Sequence, residues 1–542
     1  MSSADHSQYL HQLSALSARQ VAGPALLVVL GTWFLLRRFS SSRVRTPKLK
    51  GPTGNSLLFG VLGEINRGNS PALFDKWAKE YGTTFSIDMG FGKTGVVLGD
   101  VKAIAHFLAR DTLTYRQMKF NTVLLELILG PGLLWAEGEV HRRQRRPLTP
   151  AFSNSSIRGY LDVFYANAHK LKSQWEGIID SGSSTIDVQN WIAKTALDNL
   201  GIAGFGHSFG SLDGNEPEVV GVFDNFRPPS EVGAVSKIMF LLAPLIPALL
   251  SIPTDGVKLL ASTKAAMKPI AEGLIQSAKR QISQAQDTEL SKSIIGLLIK
   301  AECAESGTFG AKSEEVILAQ RTILFAGYET TTYSLSWAFI ELSRNLEVQQ
   351  RLRKELMELG TDPTYEQLMY GLPYLNAVVQ ESLRLHVPVP NIVRVAHEDD
   401  MIPLSAPITT TAGMVISELP IAKGTSVWSS FTQVNQSEEI WGADAKAFKP
   451  ERWLDDNLTA GAKSIQGYHH ILTFSDGQRI CLGRAFAIAN IKSTLSVLVR
   501  NFEFELPDGP DTPIGVFRAA VARPKVDSET GSRLPLKVRR AD

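Results

Sequence analysis

Apolar residues recur every three to four positions over 74–81, 157–179, 257–285, 313–345 and 375–386, the spacing that gathers them on one face of a helix. The fourth run opens with Ser313, Glu314 and Glu315, a capping hydroxyl followed by carboxylates at the positive end of the helix dipole. The last run ends ahead of Pro388 and Pro390, which cannot continue a helix. Period-two patterning is confined to 84–89, 95–99, 415–419 and 502–506, which predict short strands. The chain reads as mainly α with small β-sheets, an α+β fold with the sheets at its periphery. No internal repeat, low-complexity tract or second linker interrupts 53–542, so one large domain is expected there.

Two stretches break the amphipathic pattern. Residues 21–36, VAGPALLVVLGTWFLL, carry no charge, and the run falls a little short of the roughly 20 residues of a spanning helix. Arg37, Arg38, Arg43, Arg45, Lys48 and Lys50 follow it. A cleaved signal peptide would carry its basic residues ahead of the apolar run. The order seen here predicts an uncleaved, single-pass anchor with the bulk of the chain on the cytosolic side. The chain then divides into a short segment 1–20, an anchor 21–36, a basic, proline-containing linker 37–52 and the domain 53–542. The second stretch, 238–253, is apolar but broken by Pro244, Pro247 and Pro253. It reads either as a buried connector or as a surface segment dipping into the same bilayer.

Composition narrows the class. With 542 residues, a net charge of +2 and 44% hydrophobic residues, the chain can bury a large core and shows no basic excess suited to nucleic acid. Two cysteines exclude a disulfide framework and fit a reducing compartment such as the cytosol. Cys303 reads as a small buried hydrophobe.

Cys481 reads differently. It lies in FSDGQRICLG, 474–483, which has the form FxxGxRxCxG. A thiolate in an apolar shell is a strong donor to iron. Gly477 and Gly483 allow a flat group to approach the backbone, and Arg479 suits a carboxylate near the sulfur. On the long helix, Ala326-Gly327-Tyr328-Glu329-Thr330-Thr331 places a glycine and β-branched residues at mid-helix, so the helix is expected to open there. Glu329 and Thr330 form an acid–alcohol pair able to move protons; a close-packing glycine is the plainer reading of Gly327. Glu381 and Arg384 share a helix face at a spacing suited to a bidentate pair, and Arg452, in FKPERW, can join them in a buried network. Glu64/Arg67, Glu139/Arg142 and Glu341/Arg344 have the same spacing and are expected to be surface pairs. His141 and Arg145 share one helix face and can donate to one carboxylate. Arg142, Arg143 and Arg146 form a solvated basic face or a docking patch for an acidic partner. GFGKTG, 90–95, matches GxGxxG but lies between two strands and reads as a hairpin turn.

AGxET, ExxR, PERW and FxxGxRxCxG, in this order from about residue 52 onward, resemble the cytochrome P-450 family, and the wording is similar to its fungal, microsomal members. The resemblance implies the P-450 fold, a haem b cofactor and Cys481 as the axial iron ligand. It implies that Arg479, His141, Arg145 and Arg394 contact the propionates and that Phe474, Gly477 and Gly483 border the haem. His141 stands where most members carry tryptophan. Glu329 and Thr330 are the implied proton-delivery residues; Glu381, Arg384 and Arg452 are structural. The implied activity is a monooxygenase that inserts one atom of O2 into a lipophilic small molecule, a terpenoid or other specialised metabolite being favoured. Electrons would come from NADPH through a separate NADPH–cytochrome reductase, with cytochrome b5 as a further candidate, at the endoplasmic reticulum membrane. The stretches matching substrate-contact regions, 123–129, 390–393 and 514–517, are largely apolar, with Glu126, Asn391 and Tyr328 as polar exceptions. A reductase-free haem-thiolate isomerase or dehydratase, or other peroxide-driven enzyme, and a non-catalytic haem sensor remain as alternatives.

Overall fold

The computed structural model describes residues 44–541 apart from 55, 58, 68–69, 91, 218–219, 222–232, 244–245, 284–292, 299–312 and 518. The 21–36 run and Cys303 lie outside the described residues. Among those described, no helix is long and apolar enough to cross a membrane. The longest, Ser313–Arg344, carries Arg321, Glu329 and Glu341 along its length. The expected single-pass location in the endoplasmic reticulum membrane is corrected on this finding.

The longer helices are α1 (Ser70–Tyr81), α2 (Val101–Ala109), α3 (Lys119–Ile128), α4 (Gly138–Leu148), α5 (Asn154–Asp180) and α6 (Val188–Phe205). They continue with α7 (Ala234–Leu242), α8 (Asp255–Ser283), α9 (Ser313–Arg344), α10 (Leu346–Leu359), α11 (Pro373–Leu385) and α12 (Arg484–Asn501). The five helices read from periodicity fall on α1, α5, α8, α9 and α11, to within about a turn at each end.

The strands are short and marginal to this bundle. The largest sheet takes in β1 (Phe85–Asp88), β2 (Thr94–Leu98), β3 (Tyr115–Arg116), β5 (Asn391–Ala396) and β8 (Ser426–Ser430) in the order β1-β2-β8-β5-β3, with only β2 and β8 parallel. A three-stranded sheet runs β4 (Thr185–Asp187), β12 (Pro535–Arg540), β9 (Phe502–Glu505). Two hairpins stand alone as sheets: β6 (Asp400–Thr409) with β7 (Val415–Ile421), and β10 (Ile514–Phe517) with β11 (Arg523–Val526). The GxGxxG stretch is the β1–β2 turn: Gly90 and Gly92 take φ of 78° and 64°, and Lys93 N donates to Gly90 O at 2.9 Å.

The core is built where α12 lies on α5 and α9 crosses α6. Phe486 meets Phe164 edge to face at 4.9 Å. A chain of buried amides joins three helices: Asn167 Nδ2 donates to Asn199 Oδ1, and Asn199 Nδ2 to Asn490 Oδ1, each at 2.8 Å. Gly327 lets α9 close on α6, since a Cβ there would stand 3.1 Å from Leu200 Cδ2. The expected opening of α9 is corrected, because the helix is continuous. Thr330 Oγ1 turns back to Ala326 O at 2.7 Å and Thr332 Oγ1 to Tyr328 O at 2.9 Å, so the threonines bond within the helix. The proline-broken stretch forms α7 and a single turn, Pro247–Ser251. Met239, Ala243 and Leu250 pack it against Phe120, Val123 and Leu127 of α3, as a connector would, while Ile246 and Ile252 face outward.

Lys492 is enclosed in α12, where Nζ donates to Leu368 O and Met369 O of the π-helical turn Gln367–Gly371. Burial pushes its ammonium down to about 8, with Glu355 pulling the other way. Between pH 8 and 10.5 the unfolded chain therefore holds a proton that the native state has released, and stability rises with pH. Paired unfolding curves should show wild type gaining on Lys492→Met across that window, by up to roughly 3 kcal/mol. A pH-independent difference would show that the lysine is not desolvated.

Candidate active site

The loop 474–483 delivers Cys481 to the N-terminus of α12. Cys481 N donates to Phe474 O at 2.8 Å, which closes the loop on itself. Ser475 and Gly477 turn the chain through left-handed conformations, φ 58° and 67°. A Cβ on Gly477 would lie 2.2 Å from Leu108 O. That glycine is needed where the loop crosses the end of α2. Gly483 differs: its missing Cβ would meet only the edge of Phe152, at 3.7 Å, leaving an open face beside the cysteine.

Arg145 Nη2 donates to Ile480 O at 2.7 Å and so braces the residue before Cys481. The Cys481 side chain is accessible, yet burial pushes its thiol above the ordinary range. The two agree for a sulfur opening into a space enclosed by protein. The Gly483 N–H, Arg145 and Arg484 pull the thiol down again. A thiol so placed becomes a stable thiolate when a metal ion takes its charge.

Beside it lies a cluster of cations. Arg394, on β5, grips Asp111 with Nε to Oδ1 at 2.8 Å and Nη2 to Oδ2 at 3.0 Å. Arg479 approaches the same carboxylate at 3.4 Å, but its buried Nε makes no well-formed hydrogen bond. Its Nη2 donates to Ala136 O at 2.5 Å and stands 3.9 Å from Glu137. Burial pushes the Glu137 carboxyl up, against the pull of the Gln117 N–H and of Arg479. His141 is buried on α4, its imidazole pushed down to about 4 by burial, then by Arg479 and Arg145. It is neutral near pH 7 and keeps an N–H to donate. Three guanidiniums thus outweigh two carboxylates, with one buried donor unsatisfied. Surplus positive charge beside an accessible sulfur and an open glycine face fits a planar, iron-containing dianion such as haem.

Behind the loop, the expected Glu381–Arg384–Arg452 cluster is present. Glu381 and Arg384, both 0% exposed, pair bidentately at 2.8 and 2.8 Å. Arg452 Nε, Lys449 N and Trp453 Nε1 donate to the same carboxylate at 2.9, 3.0 and 3.0 Å. Arg384 Nη1 continues to Asn435 O and Ala445 O, each at 2.6 Å. Asn435 then accepts from Leu472 N at 3.0 Å and donates to Thr473 Oγ1 at 3.0 Å. The cluster is thereby wired to the residues that enter the cysteine loop. Of the other pairs at that spacing, Glu139 and Arg142 are exposed and 3.7 Å apart. Glu341 corrects its expectation: it is buried and bonds His386 at 2.8 Å in preference to Arg344 at 4.0 Å. Arg67 lies outside the described side chains.

The acid–alcohol pair is split by the helix. Thr330 is partly accessible on the α9 face that also carries Ala326, whereas Glu329 is 0% exposed. Glu329 faces Arg523 of β11, with Nη2 to Oε1 at 2.5 Å and Nε to Oε2 at 3.3 Å. Arg142, Arg143 and Arg146 are exposed on α4, and Glu126 is exposed on α3. Tyr328 is buried beneath Arg523, 5.8 Å from guanidinium carbon to ring centroid. Asp111, Asn435 and Arg523 were not legible from the sequence. Each is a single polar residue far from the group it serves, and the only available signal was the need of a buried arginine or glutamate for a counter-charge.

The sequence model of the cytochrome P-450 family matches residues 49–527. The cytochrome P-450 monooxygenase claQ of Ampulloclitocybe clavipes is 44% identical over 507 residues, covering 92% of this chain and 94% of that protein. Its relative claO, from the same organism, is 44% identical over 538 residues, covering 97% and 99%. The cytochrome P-450 monooxygenase 205 of Postia placenta is 34% identical over 506 residues, covering 91% and 92%.

Proposed function

This chain belongs to the cytochrome P-450 family and is a haem-thiolate monooxygenase, and from that premise we propose that it inserts one atom of O2 into a lipophilic small molecule, with electrons drawn from NADPH through a separate reductase. A terpenoid or other specialised metabolite is the favoured substrate class, since the stretches that resemble the family's substrate-contact regions, 123–129, 390–393 and 514–517, are mostly apolar. The observation that carries the reading is the accessible Cys481 sulfur beside an arginine-rich, partly unsatisfied niche.

When bound, haem supplies oxygen activation, which the thiolate promotes by donating electron density. Cys481 would hold the iron, and its loop is kept in place by Arg145 and by the Glu381–Arg384–Asn435 wiring. Arg394, Arg479, Arg145 and neutral His141 would hold the propionates, and Gly483 leaves an open face beside the cysteine. Phe474 fixes the loop through its carbonyl. Thr330 presents a hydroxyl on the accessible face of α9, and Glu329 is the adjacent acid; together they deliver protons to the site.

Thr330→Ala is expected to retain the cofactor but lower the product formed per NADPH consumed several-fold, measured by product yield against NADPH loss. Unchanged coupling would take Thr330 out of the proton path. Substrate-dependent NADPH and O2 consumption with a reductase, yielding a product one oxygen heavier, tests the whole reading. Turnover with peroxide alone, and none with reductase, would assign the chain to the peroxide-driven alternatives.

A further inference from the structure

We infer that Asp111 is a positioning residue that fixes the direction of Arg394 and Arg479 for the propionates and holds the cofactor's reduction potential down, an inference that rests on the proposed propionate roles of those two arginines. Asp111 is 1% exposed and lies just past the end of α2. β3 brings it into place: Tyr115 and Arg116 pair with Ala396 and Val395 of β5, the strand that carries Arg394. Arg394 donates to Asp111 through Nε and Nη2, and its Nη1 donates to Val393 O at 2.9 Å. Three of the five N–H donors of this guanidinium are thus taken, and the others are left for a further acceptor. Because the fork is planar and rigid, gripping one edge sets the direction of the rest. Arg479 arrives from the cysteine loop and stands 3.4 Å from the same oxygen, Oδ1. One carboxylate therefore orders two arginines that come from different elements.

The turn that presents Asp111 is strained. Thr112 is buried with φ 72°, a left-handed conformation that a β-branched residue rarely adopts. Its N–H is shared between Tyr115 O and Asp111 Oδ1, each at 2.8 Å. Tyr115 pins the far side of the turn, its hydroxyl donating to Asp400 at 2.8 Å. Such strain persists only where the surroundings over-determine it. Here they hold one carboxylate against two guanidiniums. The charge of Asp111 also reaches α4. The Glu137 carboxyl is pushed up by burial and, in the same sense, by Asp111. His141 is pushed down by burial, Arg479 and Arg145, and Asp111 opposes them. A negative charge enclosed in the same niche is weakly screened and disfavours adding an electron to the iron. Asp111 thus gives up part of the niche's positive charge and in return fixes the direction of what remains.

The test uses the full-length, haem-loaded protein and the variants Asp111→Asn, Asp111→Glu and Arg394→Ala. Neither readout depends on turnover. One is the midpoint potential of the cofactor, from a spectroscopic redox titration; the other is the rate at which haem passes to excess apomyoglobin. Asp111→Asn keeps the size and removes the charge, so the potential is expected to rise and haem transfer to quicken several-fold. Asp111→Glu keeps the charge but displaces the grip, so transfer should quicken while the potential stays near that of wild type. A purely structural role would move the potential alike in both variants or in neither, and either result overturns the inference. Should Asp111→Asn fail to fold, Asp111→Glu decides: haem transfer at the wild-type rate, or a potential well away from that of wild type, overturns it. If Arg394→Ala transfers haem no faster than wild type, the underlying propionate reading fails instead.

Discussion

Cys481→Ala is expected to abolish oxygenation and to remove the red-shifted Soret band of the reduced, carbon monoxide-bound protein. The loss should be of chemistry and not of fold. The Cys481 side chain is accessible, so no core volume is lost, and the hydrogen bond from its backbone N to Phe474 O survives the substitution. Without thiolate donation the electronic push that favours O–O cleavage is gone. The spectrum and the turnover of a folded variant check this together, and an oxygenating Cys481→Ala protein would remove the thiolate from the mechanism.

Glu381→Ala is expected to cost about 3–5 kcal/mol, because it strips the fully buried Arg384 of its carboxylate and leaves Arg452 only Asp444. Folded domains hold only about 5–15 kcal/mol in total, so the variant should melt far below wild type or fail to accumulate. The wild-type carboxylate accepts from Arg384, Arg452, Lys449 N and Trp453, and Arg452 also reaches the half-exposed Asp444 carboxylate, Nη2 to Oδ1 at 3.2 Å. Through Asn435 the damage should extend to residues 472–473 and loosen the cysteine loop. Thermal unfolding and the fraction of protein that retains cofactor measure the two effects. Arg344→Ala is the control, because its partly exposed guanidinium is 4.0 Å from Glu341. A Glu381→Ala protein as stable as that control would reduce the cluster to decoration.

The sequence revealed the helices that bury one face and hid two of those that bury nearly every face. α1, α5 and α8 alternate core and solvent positions, so their period is visible, whereas α11 is buried along nearly its whole length and was marked by its terminal prolines and its ExxR spacing. α6 and α12 are enclosed on most sides, and the polar residues inside them read as surface positions. Asp198, Asn199 and Lys492 are all buried, satisfied by backbone amides, side-chain amides and carbonyls that come from elsewhere in the chain. The site divides in the same way. Cys481, Glu381, Arg384 and Arg452 sit in local strings whose spacing is itself the signal. Asp111 and Arg523 matter only through tertiary pairing, and Arg523 meets Glu329 across 194 positions. The weak centre of α9 is real as a propensity, but Leu200 packs against Gly327 and the threonine hydroxyls bond back along the helix, so tertiary and local contacts outweigh it.

The amide chain Asn167–Asn199–Asn490 has a direction: each NH2 faces the next residue's oxygen. A one-residue slip of α5 or α12 would break one link and a slip of α6 both, so the chain is complete only when the three helices keep a common register. Drift in any one of the three positions is therefore constrained by the other two, and a neutral path between related sequences has to change them in concert or leave all three untouched.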